Sequence, residues 1–389
     1  MALASFSPYY KAPAEIIRMA EDLAGLPAWY AEVGDWVRVF DDSYRDDFLN
    51  QCVFSEGLPW GRCVVRSDWE EADAFVLSPW GWDPALAQCW RKDGRAGGVP
   101  DVERLTRTRE LSGRQQCVKV LEVFRSWPTT CGEARICSSM EEVIASLHQF
   151  PEVILKAPWS GSGRGLTRTS LCTWTPNLEG WVGRILRTQG AIMAEPIYNK
   201  VVDFAMEFYL DAAHPLSFAG YSLFETDSHG NYKANLLASN QQIVDRLTQY
   251  VSFEQLEAVR EQLLHTLSHL LGADYEGYFG VDMMICKEQT DDRTSYLIHP
   301  CVEINLRMNM GVVARLLFDR YMDVHSEGSY VVEHYSRDGE AVEQDNRLRA
   351  QYPQEKVDSK MKAGYFPLTP VTPTTRYQCY IMCHPLTVI

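Results

Sequence analysis

Apolar positions along the chain change their period several times. From Ser252 onward, Leu256, Val259, Leu263, Leu267 and Leu270 keep a 3.6-residue stripe, which predicts a long amphipathic helix. Ser252 and Gln255 have capping-box spacing at its start, and Gly272 stands at its stop. Shorter apolar runs predict strands. They fall at Trp36–Phe40, Cys63–Val65 and Ala74–Leu77, then Val153–Leu155, Ala191–Ala194 and Phe204–Leu210. Phe279–Cys286, Tyr296–Leu306 and Gln378–Met382 complete the series. Residues 1–35 read as helical with a polar interruption, Pro84–Arg91 as a short helix, and Asp101–Arg125 as one long basic helix. Strand, loop and helix over 74–91 make a small α/β unit. Asp93–Pro100 (DGRAGGVP) reads as a linker.

Composition narrows the classes. The 389 residues suggest two to three domains. Lys+Arg 37 against Asp+Glu 52 gives −15, the wrong balance for a phosphodiester-backbone partner. No run of 18 apolar residues occurs, and the start MALASFSPYYKAP lacks an apolar signal core. A cytoplasmic protein without membrane or nucleic-acid partners is expected. The 11 cysteines are scattered, as reduced and mostly buried thiols would be. Cys379, Cys383 and His384 cluster, but no fourth zinc ligand stands nearby.

Two stretches carry candidate chemistry. In VILKAPWSGSGRGL, a strand ends at Lys156 and a loop follows with Ser160, Gly161, Ser162, Gly163, Arg164 and Gly165. Glycines allow backbone N–H groups close to an anion, and Lys156 adds a point charge. The same loop could equally be a plain hairpin tip; no Walker motif is present. Downstream, Asp282 lies in FGVDMMIC, and Glu303, Asn305 and Arg307 lie two apart in CVEINLR. Residues two apart on a strand share a face. Paired as a hairpin, these strands would gather two carboxylates and an amide oxygen, hard ligands suited to Mg²⁺. Trp80, Trp82 and Asp83, and the polar stretch His229, Tyr232, Lys233 and Asn235, could line a substrate pocket or serve structure alone.

In this order the motifs resemble the ATP-grasp superfamily of carboxylate–amine ligases, with the motif order of D-alanine–D-alanine ligase and biotin carboxylase. The resemblance covers roughly residues 106–326. It implies an α/β (α+β) ATP-grasp fold with a small N-terminal α/β domain (1–105), an ATP-grasp domain (106–326) and an appended C-terminal segment (327–389). A lid subdomain would span about 127–195. By this resemblance Lys156 contacts phosphate, and Ser160 to Gly165 is the closing loop. Glu195 neighbours the adenine, and Asp203, or Glu207 on the same strand face, holds the ribose. Arg114 stands where the family often has a lysine. Asp282, Glu303 and Asn305 match the Mg²⁺ set, and Arg307 completes the Glu-x-Asn-x-Arg pattern as a catalytic group beside Lys156.

The resemblance further implies ATP and Mg²⁺ as cofactors, and a ligase that joins a carboxylate to an amine through an acyl phosphate, releasing ADP and phosphate. Small-molecule carboxylate and amine substrates are expected, or a peptide or protein acceptor, with room for a homodimer. The alternative from another class is a nucleotide-binding regulatory or scaffold protein without turnover.

Overall fold

The computed structural model describes residues 2–386 except 56–59, 66–67, 69–73, 93, 95, 161–164, 212, 227–231 and 291–292. Two antiparallel sheets frame the molecule. The large one has nine strands in the spatial order Arg293–Asn305, Gly277–Thr290, Lys200–Leu210, Ser217–Thr226, Tyr232–Leu237, Ser326–His334, Tyr377–Pro385, Lys360–Pro367 and Glu355–Val357. The small one has four, in the order Arg135–Cys137, Ile192–Pro196, Val153–Lys156 and Leu166–Thr169. Mixed helix and strand in this arrangement make an α+β fold, as the sequence leads one to expect.

Alternation sorts the first three strands of the large sheet into two faces. Phe204, Met206, Phe208, Val281, Met283 and Ile285 point into one core with Leu256, Val259, Leu263 and Leu267 of helix Phe253–Leu271. That helix begins on the predicted reciprocal cap between Ser252 and Gln255 and ends at Gly272. The opposite face carries Asp203, Glu207, Asp282 and Glu303. Helix Met310–Tyr321 packs across this face over Ser217–Thr226 and Tyr232–Leu237. Asn309 caps it by accepting from the N–H groups of Gly311 and Val312 at 2.8 and 3.0 Å.

A second apolar core joins the two ends of the chain. Trp29, Phe48 and Phe54 pack with Tyr321, Tyr330, Phe366 and Ile381. The strands Ser326–His334, Lys360–Pro367 and Tyr377–Pro385 thus extend the large sheet and cover the N-terminal helices. Near the start, Trp36–Arg38 pairs in parallel with Arg62–Val64.

Several expectations change. The long basic helix is two helices, Val102–Leu111 and Gln115–Phe124. The break falls at Gly113, and the Arg114 N–H donates to the Pro158 carbonyl at 3.2 Å instead of continuing the first helix. The 93–100 linker contains a short strand, Ala96–Gly97, paired in parallel with Phe75–Val76. The stretch around Lys233 and Asn235 is a strand inside the large sheet. There Asn235 is buried and donates to Ser222 Oγ at 2.6 Å. His229 lies outside the described residues. All 11 cysteines are unbridged, and only Cys89 and Cys172 are exposed. Cys379 and Cys383 are buried while His384, on the neighbouring register position, is exposed. The described residues include no cluster of three His, Cys, Asp or Glu side chains able to hold a metal, and no helix long and apolar enough to cross a membrane.

Candidate active site

The two sheets face each other across a polar crevice. On the small-sheet side, Val153–Lys156 pairs antiparallel with Ile192–Pro196. Lys156 and Glu195 thereby lie close enough for Lys156 Nζ to donate to Glu195 Oε2 at 2.5 Å. Both side chains are almost fully buried, at 6% and 7% exposure. Two opposite charges taken from water together persist only as a pair. Beyond Lys156 the chain leaves the strand and returns at Gly165, whose carbonyl accepts from the Ala157 N–H at 2.9 Å. Gly165 has φ +72°, and a Cβ there would strike Ser160, so this closure needs glycine. The predicted loop residues Gly161, Ser162, Gly163 and Arg164 lie outside the described residues.

On the large-sheet side the predicted hairpin forms. Asp282 is the direct cross-strand partner of Glu303, and Gly280 of Asn305. The third strand continues this face: Asp282 pairs with Ala205, Gly280 with Glu207, and Met284 with Asp203. Asn305 Nδ2 donates to Asp282 Oδ2 at 2.9 Å, and its Oδ1 accepts from Arg307 Nη2 at 3.0 Å. Asp203 is ion-paired with Lys200. Burial first, then the charge of Glu303, pushes the Asp282 carboxyl up to about 7. The structure thus brings Asp282, Glu303, Asn305 and Arg307 together as the sequence leads one to expect.

Arg114 bridges the two sides. Its guanidinium forks onto Glu303, with Nη2 donating to Oε2 at 2.9 Å and to Oε1 at 3.0 Å. Nη1 donates to the Ala157 carbonyl at 2.7 Å and to Ser160 Oγ at 2.5 Å. Burial opposes its charge, but Glu303 outweighs that and holds the pKa of Arg114 above the ordinary value. One residue therefore ties Ala157 and Ser160 to a carboxylate of the hairpin, which two terminal nitrogens held in one plane do better than the single nitrogen of a lysine could.

Asp282, Glu303 and Asn305 supply hard oxygen donors on one face, a set that fits Mg²⁺. Arg114 already occupies both oxygens of Glu303, so a cation there would have to compete with the guanidinium.

Glu207 was legible only as an alternative to Asp203, and the structure gives it a distinct setting. It is 1% exposed, and Asn309 Nδ2 donates to its Oε2 at 3.0 Å. A Cβ on Gly280 or Gly311 would collide with its carboxyl oxygens, so both glycines are needed to admit it. Burial raises its pKa to about 8, with Asn309 opposing and Asp282 adding to the rise. A cavity of about 300 Å³ lies beyond it, bounded by Tyr209, Ser217, Tyr278, Arg315 and Asp319. The N-terminal loop reaches the other side of the hairpin. The Met308 N–H donates to the Trp80 carbonyl at 3.1 Å, and Gly81 lies against the Arg307 side chain.

Two further residues of the crevice stand outside the sequence motifs. His299 is the cross-strand partner of Met284, and Tyr198 stands over it with ring centroids 5.4 Å apart. A His-Pro pair inside an apolar strand was the available signal for the first; nothing in the sequence singled out the second.

No protein-family model matches the sequence, and no curated protein matches it. Solved structures do. N5-carboxyaminoimidazole synthetase from Staphylococcus aureus, complexed with ADP, is 10% identical with a TM-score of 0.48, covering 92% of this chain and 95% of that one. The biotin carboxylase domain dimer of Hydrogenobacter thermophilus 2-oxoglutarate carboxylase, with MgADP, ADP and bicarbonate, is 14% identical with a TM-score of 0.49, covering 82% and 72%. Pyruvate carboxylase from Rhizobium etli, with the allosteric activator acetyl coenzyme A, is 13% identical with a TM-score of 0.50, covering 82% of this chain but only 29% of its own. Identities this low speak to architecture alone, and the architecture of this chain is the α+β ATP-grasp fold.

Proposed function

We propose that the protein is an ATP-dependent ligase joining a carboxylate to an amine. The observation that carries this reading is the convergence of Lys156–Glu195 and Asp282–Glu303–Asn305–Arg307 on one crevice, bridged by Arg114. In this reading the four-stranded sheet is the lid subdomain within about 127–195. Residues 1–105 form the preceding α/β domain, and 327–389 complete the large sheet.

Lys156 and the backbone beyond it meet the phosphates, with Arg114 as the second cation. Asp203 or Glu207 is left to hold the ribose, and Glu195 stands beside the base. Asp282, Glu303 and Asn305 would hold Mg²⁺, which when bound offsets negative charge on the transferring phosphoryl group. Arg307 orients the acceptor carboxylate, whose oxygen takes the terminal phosphoryl as ADP leaves. An amine nitrogen then attacks the acyl carbon, phosphate departs, and the amine proton passes to a base or water. Closure of the small sheet over the large one keeps water from the acyl phosphate. The Trp80–Asp83 loop beside Arg307 offers an aromatic wall for a small-molecule or peptide substrate.

The Arg114 fork on Glu303 favours one second reading, a nucleotide-binding protein without turnover, because the hairpin's charges are already satisfied internally. Glu303→Gln separates the two. In an active ligase it keeps ATP binding, measured by calorimetry, but lowers ADP release with carboxylate and amine pools by about 100-fold or more. Wild-type protein that binds MgATP and releases no ADP with any pool leaves only the second reading.

A further inference from the structure

Both ring nitrogens of His299 are buried without a hydrogen-bond partner among the described residues, and the residue is 1% exposed. A buried polar group left unpaired is costly, so a fold that keeps one invites the question of what completes it. The side chain lies on the crevice face of the large sheet, because it pairs with Met284, which shares that face with Asp282. Gly132 presses against one edge of the ring, where a Cβ would lie 2.9 Å from Nε2. Tyr198 covers it edge-on from the short connection between Ile192–Pro196 and Lys200–Leu210, the point where the small sheet joins the large one.

The ligand chemistry follows from the surroundings. Burial, reinforced by the nearby charge of Lys156, holds the imidazole neutral. A neutral imidazole presents one donor and one acceptor, not the cation that a phosphate would need. Metal binding is a poor match as well, since the described residues form no group of three His, Cys, Asp or Glu side chains that could hold an ion there. A flat group bearing both donors and acceptors, able to lie against the Tyr198 ring, suits these partners. We propose that His299 is a base-reading residue, hydrogen-bonding the edge of the heteroaromatic base of a bound nucleotide, with Tyr198 as the adjoining wall. This rests on the nucleotide reading of the crevice and adds to it the residue that recognises the base.

The test uses the full chain, calorimetry, and two probes, ATP and inorganic tripolyphosphate, which carries the phosphates without a base. His299→Phe keeps a ring and removes both nitrogens. ATP affinity is expected to fall about tenfold while tripolyphosphate affinity stays within twofold. The unliganded variant should melt at or above the wild-type temperature, because the two unpaired ring nitrogens are gone. His299→Gln, which retains a donor and an acceptor, should recover most of the ATP affinity. If His299→Phe does not fold, His299→Leu carries the same expectations. Unchanged ATP affinity, or an equal loss for both probes, overturns the assignment. Wild-type protein that binds neither probe overturns the nucleotide reading itself, a result distinguishable from either of those.

Discussion

The four-stranded sheet keeps a small core of its own, in which Val143, Leu147, Leu155, Val182 and Ile192 pack. Its described ties to the rest of the crevice are largely polar. Trp159 Nε1 donates to the Arg109 carbonyl at 2.8 Å, the Arg109 guanidinium stacks 3.9 Å from the Trp159 ring, and Arg114 reaches Ala157 and Ser160. The N-terminal unit is held quite differently. Trp29 is buried among Phe48, Phe54 and Tyr321, and its Nε1 donates to the Leu368 carbonyl at 2.7 Å. Apolar burial is not directional but is lost on any separation, whereas a few hydrogen bonds can be exchanged for others. The large sheet and its N-terminal cover thus share one apolar core, whereas the small sheet has a core of its own and meets Arg109 and Arg114 through hydrogen bonds and a cation–π contact.

The largest effect should come from breaking the shared core. Phe366 is fully buried and meets Phe54 edge-on at 5.2 Å. Phe366→Ala should cost about 3–5 kcal/mol, with the N-terminal helices and C-terminal strands unfolding together in denaturant. Separate transitions for those two ends would show that they do not form one unit. On the other side of the comparison, Lys156→Met leaves Glu195 buried without its partner. It should lower the stability of the small sheet by about 3 kcal/mol or more, read as faster amide exchange over 135–196 with little change in the large sheet. The double variant Lys156→Met/Glu195→Met should restore stability but not ATP binding. Loss of exchange protection across the whole molecule would erase the distinction between the sheets.

Glu207 stands in the large sheet, and pH probes that side. Its carboxyl stands near 8 in the folded chain against an ordinary value of 4.5. The folded state therefore holds a proton that the unfolded state has released between those values. Stability from this group is complete below about 4.5 and is lost as pH rises through about 8, on the order of a few kcal/mol. Asp282, near 7, adds in the same direction. The urea midpoint should fall from pH 5 to pH 9, and Glu207→Gln should flatten part of that slope. A midpoint that rises over the range would contradict the burial of a protonated Glu207. The smallest effect is Ser252→Ala, which removes the side-chain cap of helix Phe253–Leu271 behind the large sheet and should cost about 1 kcal/mol with no change in ligand affinity.

Features local to one segment are legible in the sequence. Period 3.6 and a capping box located the helix at 253–271, because both signals are local to one segment. Spacing of two placed Glu303 and Asn305 on one face, and two apolar strands around a charged turn proved to be antiparallel partners. Lys156 at a strand end was legible for the same reason. Contacts between distant segments are not. Glu195 lies far from Lys156 in sequence, and their pairing depends on strand register. Arg114 reaches Glu303 only because its N–H turns to Pro158 at the break between two helices. His299 and Tyr198 come together where two sheets meet, and Glu207 is buried by glycines on two other elements. Local periodicity encodes which face a side chain takes; which side chain it meets there is set by the packing of segments distant in the chain.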